Sequence, residues 1–154
     1  MQLSTKGRYA VMAVVDLAKL GRRGPLSLAE IAERQEISLS YLEQLFARLR
    51  KAGIVNSVRG PGGGYILAYS AEKMRISDII LAVDEQLNAT RCEANSPSGC
   101  MGNKARCITH DLWSELTNQI HLYLSSVTVA DVCERKVLGS SGAFHLENAI
   151  KRLS

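Results

Sequence analysis

The chain has 154 residues, 46% of them hydrophobic, with four cysteines and a formal net charge of +4. That is enough for one domain or two small ones around a real core. The apolar runs are too short to span a bilayer and the amino terminus shows no signal-peptide pattern, so a soluble cytoplasmic protein with no membrane partner is expected, and in that compartment four cysteines read as metal ligands or redox groups before they read as a disulfide framework. The charge is unevenly placed: residues 1–68 hold ten Lys/Arg against five Asp/Glu, and the remainder nine against ten. A basic first half points to an anionic partner on that side, nucleic acid being the usual one.

In chain order, Thr5 is placed to cap a first helix running to about Leu20, with Tyr9, Ala10, Ala13, Val14 and Leu17 as its apolar face and Gly21 as its stop. Ser27 and Glu30 form a capping-box pattern that opens a short helix through Arg34, with Leu28 and Ile31 facing inward. A tight turn at Gln35, Glu36 and Ile37 leads to a third helix, capped by Ser38 or by Ser40 paired with Glu43. Its inward face is Leu42, Leu45, Phe46 and Leu49, and Gly53 closes it. Ile54 to Val58 and Tyr65 to Tyr69 then read as two strands around a glycine-rich tip, Arg59 to Gly64. Ser77 is expected to open a helix holding Ile79, Ile80 and Val83. Beyond the cysteines, Leu112, Leu116, Ile120, Leu124 and Val127 recur at near-four spacing, with Trp113 and Tyr123 beside them, as in an amphipathic helix of about four turns. A short helix from Thr128 to Glu134 follows, and Gly139 to Gly142 lead into a tail.

Three helices, a tight helix-turn-helix and a hairpin make the plan of a winged helix-turn-helix, whose second turn-motif helix enters the major groove. Once the inward residues are assigned, Ser38, Ser40, Tyr41, Glu43, Gln44, Arg48 and Lys51 are left on outer or N-terminal positions. Gln44 has the amide that reads adenine, and Glu43 can accept from cytosine N4 or serve only as a cap. Arg59 stands at the wing base beside Gly60, where glycines let the backbone approach DNA and a narrow minor groove attracts arginine. Lys6 and Arg8 are candidate phosphate contacts, with plain surface charge as the competing reading. The glycine run is not a nucleotide loop, because Tyr65 and Ile66 stand where a Walker motif needs Lys-Ser/Thr and Tyr65 stands where a dinucleotide fingerprint needs its third glycine.

The pattern Cys92-x7-Cys100-x6-Cys107-x2-His110 supplies three thiolates and an imidazole, a full ligand set for an iron–sulfur cluster or zinc. The residues between are turn formers with no apolar periodicity, so the loop has no core of its own and a bound metal is the simplest organiser. Zinc sites favour close CxxC pairs, and none exists here; wide gaps suit a larger object. Cys133 reads as a small apolar residue on the last helix.

The runs Lys6-Gly7-Arg8-Tyr9-Ala10, Ile37-Ser38-Leu39-Ser40-Tyr41-Leu42-Glu43-Gln44-Leu45, Val58-Arg59-Gly60-Pro61-Gly62-Gly63-Gly64-Tyr65 and Ala89-Thr90-Arg91-Cys92 resemble the IscR family of iron–sulfur cluster regulators. The wider winged-helix family includes the nitric oxide sensor NsrR and the iron regulator RirA. The resemblance covers roughly residues 1 to 133. It implies a homodimeric bacterial repressor or activator holding a [2Fe–2S] cluster on Cys92, Cys100, Cys107 and His110, and the histidine is what favours IscR over its relatives.

The expected architecture is mainly α: a winged helix-turn-helix DNA-binding domain at 1–84, a cysteine-rich cluster loop at 85–110, a dimerisation helix and short following helix at 111–135, and a flexible tail at 136–154. The stripe Leu112, Leu116, Ile120 and Leu124 is expected to meet a second copy. The expected function is a cluster-sensing transcriptional regulator of iron–sulfur assembly or iron homeostasis genes, binding a roughly palindromic double-stranded operator and loaded by the cluster-assembly machinery. Cluster occupancy would order the loop and the start of the dimer helix and so bias the spacing of two DNA-reading heads. The alternative is a thiol-redox or zinc-stabilised regulator using the same cysteines. No nucleophile–base pair or carboxylate dyad stands in a recognisable motif, so no enzyme is expected.

Overall fold

The computed structural model describes residues 3–90 and 98–138. Four helices and a hairpin build the first part: α1 (Thr5–Leu20), α2 (Leu28–Gln35), α3 (Leu39–Lys51), β1 (Val55–Val58), β2 (Gly64–Leu67) and α4 (Ile76–Ala82). The long α5 (His110–Ser126) and the short α6 (Val129–Cys133) follow. Helix α1 is the hub, packing against α2, α3, α4, α6 and β2. Its Ala10, Ala13, Val14 and Leu17 are buried, as their helical spacing predicts.

The second and third helices follow local rules closely. Ser27 and Glu30 form the reciprocal capping box, and α2 ends at Glu36 in a left-handed conformation with φ 54°. All four of Leu42, Leu45, Phe46 and Leu49 are buried, and Gly53, at φ 79°, takes the left-handed position that closes α3. The strands pair antiparallel, with Val55 opposite Leu67 and Val58 opposite Gly64. Leu26 adds a third line of pairing, its N–H and carbonyl bonding the Tyr65 carbonyl and N–H at 3.1 and 2.8 Å. A Cβ at Gly64 would collide with the Leu26 carbonyl, so this edge closes only around glycine. The Phe46 and Tyr65 rings meet edge-on at 4.9 Å and hold the wing against α3.

Three sequence expectations are corrected. The cap of α1 is Ser4, not Thr5, and its side chain makes no capping bond. A carboxylate from far along the chain does that work: Glu85 Oε1 accepts the Ser4 N–H at 2.7 Å, where the helix dipole favours an anion. Gly21 stops α1 after Leu20 as expected, and a 3-10 turn continues from it (φ −78°) through Arg23. Ser38 caps α3, so Ser40 lies inside the first turn and the residue at the box position is Tyr41, which leaves Glu43 no capping role. Ser77 does not open α4 but lies within it, buried, accepting a hydrogen bond from the Ser125 hydroxyl at 3.1 Å.

The end of the described chain returns to the core. Ile76 N–H donates to the Val127 carbonyl at 3.0 Å and Val129 N–H to the Met74 carbonyl at 2.8 Å, which fastens α6 beside α4 and against α1. Thr128 and Asp131 cap α6 reciprocally, and Val129 is fully buried. Cys133 is half-buried, its thiol 3.8 Å from the Val15 carbonyl, and burial pushes its pKa up; it packs as the small apolar residue expected. The stretch after residue 138, including Gly139 to Gly142, lies outside the described residues.

Candidate DNA-reading face and cysteine-rich site

The first turn of α3 is presented outward. Ser38, Ser40, Glu43 and Gln44 are exposed, and the Ser38 and Ser40 hydroxyls lie 3.1 Å apart. Tyr41 is half-buried and meets Tyr9 edge-on at 6.0 Å, so part of its surface serves packing. That contact sets the start of α1, with Lys6 and Arg8, beside the start of α3. Arg8 is exposed, whereas Lys6 is half-buried with its Nζ donating to the Asp84 carbonyl at 3.4 Å. Arg48 is drawn away from the face, bonding the Val83 carbonyl at 3.2 Å and the Asp84 carboxylate at 3.3 Å. Arg59 follows the end of β1 and is exposed, next to Gly60 at φ 103°, whose carbonyl accepts the Gly63 N–H at 2.9 Å.

A residue that sequence reasoning missed orients this face. Asp16, on the apolar side of α1, has a side chain only 2% exposed. It accepts from Arg34 Nε at 3.0 Å, Arg34 Nη2 at 2.7 Å and Gln35 Nε2 at 2.8 Å. The Asp16 carboxylate in turn raises the Arg34 pKa. This planar, two-pronged pair locks α1 to the last turn of α2, immediately before the turn into α3. The visible signal was a charged residue interrupting the apolar stripe between Ala13 and Leu17.

In the cysteine-rich segment, Cys92 lies outside the described residues. Cys100 is exposed and Cys107 half-buried, both as free thiols. The residues around Cys100 hold themselves by backbone bonds: Gly99 N–H to the Lys104 carbonyl at 2.8 Å and Lys104 N–H to the Met101 carbonyl at 2.8 Å. Part of this loop is therefore organised by its own backbone turn. Ala89 N–H donates to Thr117 Oγ1 at 2.9 Å, tying the approach to the loop onto α5. His110 is the first residue of α5, 8% exposed, with its N–H bonded to the Cys107 carbonyl at 3.0 Å.

The His110 Nδ1 is buried and has no hydrogen-bond partner among the described residues. Such an atom is costly unless something pairs with it, and a metal ion is a natural partner for an imidazole lone pair. The donor set of thiols and one bare imidazole nitrogen thus fits a thiophilic metal or cluster in its chemistry. Among the described residues no three His, Cys, Asp or Glu side chains are gathered closely enough to hold a metal ion.

The stripe on α5 is divided. Leu124 and Val127 pack on the chain's own core, and Leu116 and Ile120 are half-buried. Leu112 is 59% exposed and Tyr123 56% exposed, and they lie along the same side of the helix. Beside them a cleft of about 240 Å³ runs between Leu3, Leu87, Ile120 and Leu124. No helix among the described residues is long and apolar enough to cross a membrane.

Comparison with known proteins agrees with this layout. Residues 3–135 match the family described as "Rrf2: Iron-dependent Transcriptional regulator". The HTH-type transcriptional regulator IscR of Escherichia coli K12 is 49% identical over 150 residues, spanning 97% of this chain and 91% of the relative. Among solved structures, IscR of T. potens superposes with a TM-score of 0.71 at 37% identity, covering 94% of this chain and 96% of the other. CymR, the global cysteine regulator of B. subtilis, also gives 0.71, at 32% identity over 88% and 98% of the two chains. The expectations of a winged-helix, IscR-like fold and of a regulator without enzymatic activity hold: the chain belongs to the Rrf2 family and is a DNA-binding transcriptional regulator.

Proposed function

We propose that this regulator senses iron–sulfur status by holding a [2Fe–2S] cluster on Cys92, Cys100, Cys107 and His110, and that it acts as a homodimer on a roughly palindromic operator of iron–sulfur assembly or iron homeostasis genes. The observation that carries the reading is the bare, buried Nδ1 of His110 at the first residue of α5, bonded through its backbone to Cys107. Structural zinc sites use closely spaced ligand pairs, which this spacing lacks. The cluster, when bound, supplies a redox-active centre whose occupancy follows iron and oxidant supply.

The chain's own residues do the rest. Cys107 and His110 hold the N-terminal end of α5, and Ala89 ties the preceding segment to its middle. Drawing Cys92 and Cys100 toward that end would order the loop at 85–110 and fix the start of α5. The side of α5 with exposed Leu112 and Tyr123 and half-buried Leu116, continued by the cleft at Ile120 and Leu124, is the surface offered to a second copy. A two-fold axis there sets the spacing of two α3 helices. On each head, Ser38, Ser40, Tyr41, Glu43 and Gln44 face the groove, Arg59 and Gly60 form the wing contact, and Lys6 and Arg8 meet the backbone phosphates. The cluster-assembly machinery is the natural donor.

Anaerobic purification with an absorption spectrum and metal analysis tests this. A red-brown protein with about two irons and two sulfides per chain is expected. Changing Cys107 to Ala should abolish the colour, whereas Cys133→Ala should keep it. Stoichiometric zinc with no visible absorbance would overturn the reading.

A further inference from the structure

Thr109 occupies the N-cap position of α5, yet its hydroxyl makes no capping bond to the helix amides. A threonine there ordinarily accepts a hydrogen bond from a first-turn amide. Here the oxygen instead accepts the indole N–H of Trp113 at 3.1 Å. The same oxygen lies 3.6 Å from Cys107 Sγ. The indole is a donor only, so its proton points at the oxygen. A metal-bound thiolate carries no proton, which leaves the threonine hydroxyl as the only donor between oxygen and sulfur. Trp113 is in turn held by its own carbonyl, which accepts the Thr117 hydroxyl at 3.0 Å.

We infer that Thr109 and Trp113 form a positioning relay, N–H to O–H to sulfur, that stabilises charge on Cys107 and sets the redox potential of whatever that thiolate ligates. The inference rests on the cluster reading above. The physical reason is direct. Reduction adds electron density that spreads onto the ligand sulfurs. A hydrogen bond to sulfur strengthens as that charge grows, so it favours the reduced form and raises the potential. The indole donating into the same oxygen polarises the hydroxyl and strengthens its bond to sulfur. Neither residue belongs to the proposed ligand set, so both would act through Cys107.

The test uses the full chain with Thr109→Val, Thr109→Ser and Trp113→Phe. Potentiometric titration of the anaerobically reconstituted protein should show the valine variant at a more negative potential than wild type. The serine variant should return to the wild-type potential, and Trp113→Phe should fall between. A second readout needs no cluster. Trp113 is the chain's sole tryptophan, so the indole N–H hydrogen-bond marker in the ultraviolet Raman spectrum of the apoprotein should shift in Thr109→Val and not in Thr109→Ser. A wild-type protein that never takes up a cluster defeats the sensing reading itself. A cluster that forms in Thr109→Val at an unchanged potential defeats only the relay. Should that variant fail to hold a cluster, Trp113→Phe decides, since it keeps the hydroxyl, and an unchanged potential there also overturns the relay.

Discussion

Replacing Asp16 with alanine tests how the reading head is aimed. The carboxylate is buried, and it holds two guanidinium donors and one amide donor between 2.7 and 3.0 Å. Breaking a buried ion pair by removing one partner typically costs about 3–5 kcal/mol. Arg34 is not fully buried, with 35% of its side chain exposed, so water partly takes over its lost partner. Discounting for that hydration leaves a loss of about 2–3 kcal/mol. For a chain of this size it should lower the melting temperature by roughly 5–10 °C. Thermal and urea unfolding followed by circular dichroism would measure it, with Glu43→Ala as an exposed control expected to change little. Operator affinity should also fall at temperatures where the variant is still folded, because α2 loses its fastening to α1 one turn before α3 begins. A stability loss below about 0.5 kcal/mol, the range of ordinary surface substitutions, would refute the clamp.

Other outcomes follow from single residues. Arg59→Ala should weaken binding to every site and flatten the salt dependence, because one lost cation releases fewer counterions, and an unchanged slope in a salt titration argues against a phosphate or groove contact. Glu43→Ala should relax base preference by roughly 1–3 kcal/mol at one operator position without weakening non-cognate binding; an operator library at fixed salt that shows uniform loss would count against groove reading. A Leu112→Asp, Leu116→Asp double variant should sediment as a monomer at micromolar concentration where wild type sediments as a dimer, and a monomeric wild type would remove the proposed axis. Glu30 is held below its ordinary value of 4.5 by hydrogen bonds from the Ser27 backbone and hydroxyl. A depressed carboxyl contributes stability that is complete above its ordinary value and lost as pH falls through the lowered one. The acid limb of a stability–pH curve should therefore be shallower in Glu30→Gln than in wild type.

What could be read in advance divides by range. The box at Ser27 and Glu30, the buried row from Leu42 to Leu49 and the left-handed Gly53 were legible, because each is decided within one or two helical turns. The cap of α1 was not, since Glu85 supplies it from across the chain. Nor was the position of Ser77, whose hydroxyl is satisfied by Ser125 after α4 and α5 come together. Asp16 and the Thr109–Trp113 pair stood at readable spacings, but their partners explain them only in three dimensions. For the cysteines, spacing and residue type propose a donor set, and the backbone turn near Cys100 emerges only from the fold.

The fastening of Ala89 to Thr117 has an entropic consequence. The loop leaves α5 at Thr117 and rejoins it at His110, seven positions away. At about 1.5 Å per residue its two ends are pinned roughly 10 Å apart on one rigid rod. Most of the closure cost of such a loop is already met when the protein folds, and what lengthening adds grows only slowly with the number of residues enclosed. On the proposed ligand set, the cysteines would therefore act as tethered ligands at high effective concentration near His110. Among the described residues neither Cys100 nor Cys107 belongs to the buried core, so filling and emptying the proposed site would change the loop's freedom without placing the fold at risk. On that proposal, the regulator would lose its ligand and regain it as one folded molecule.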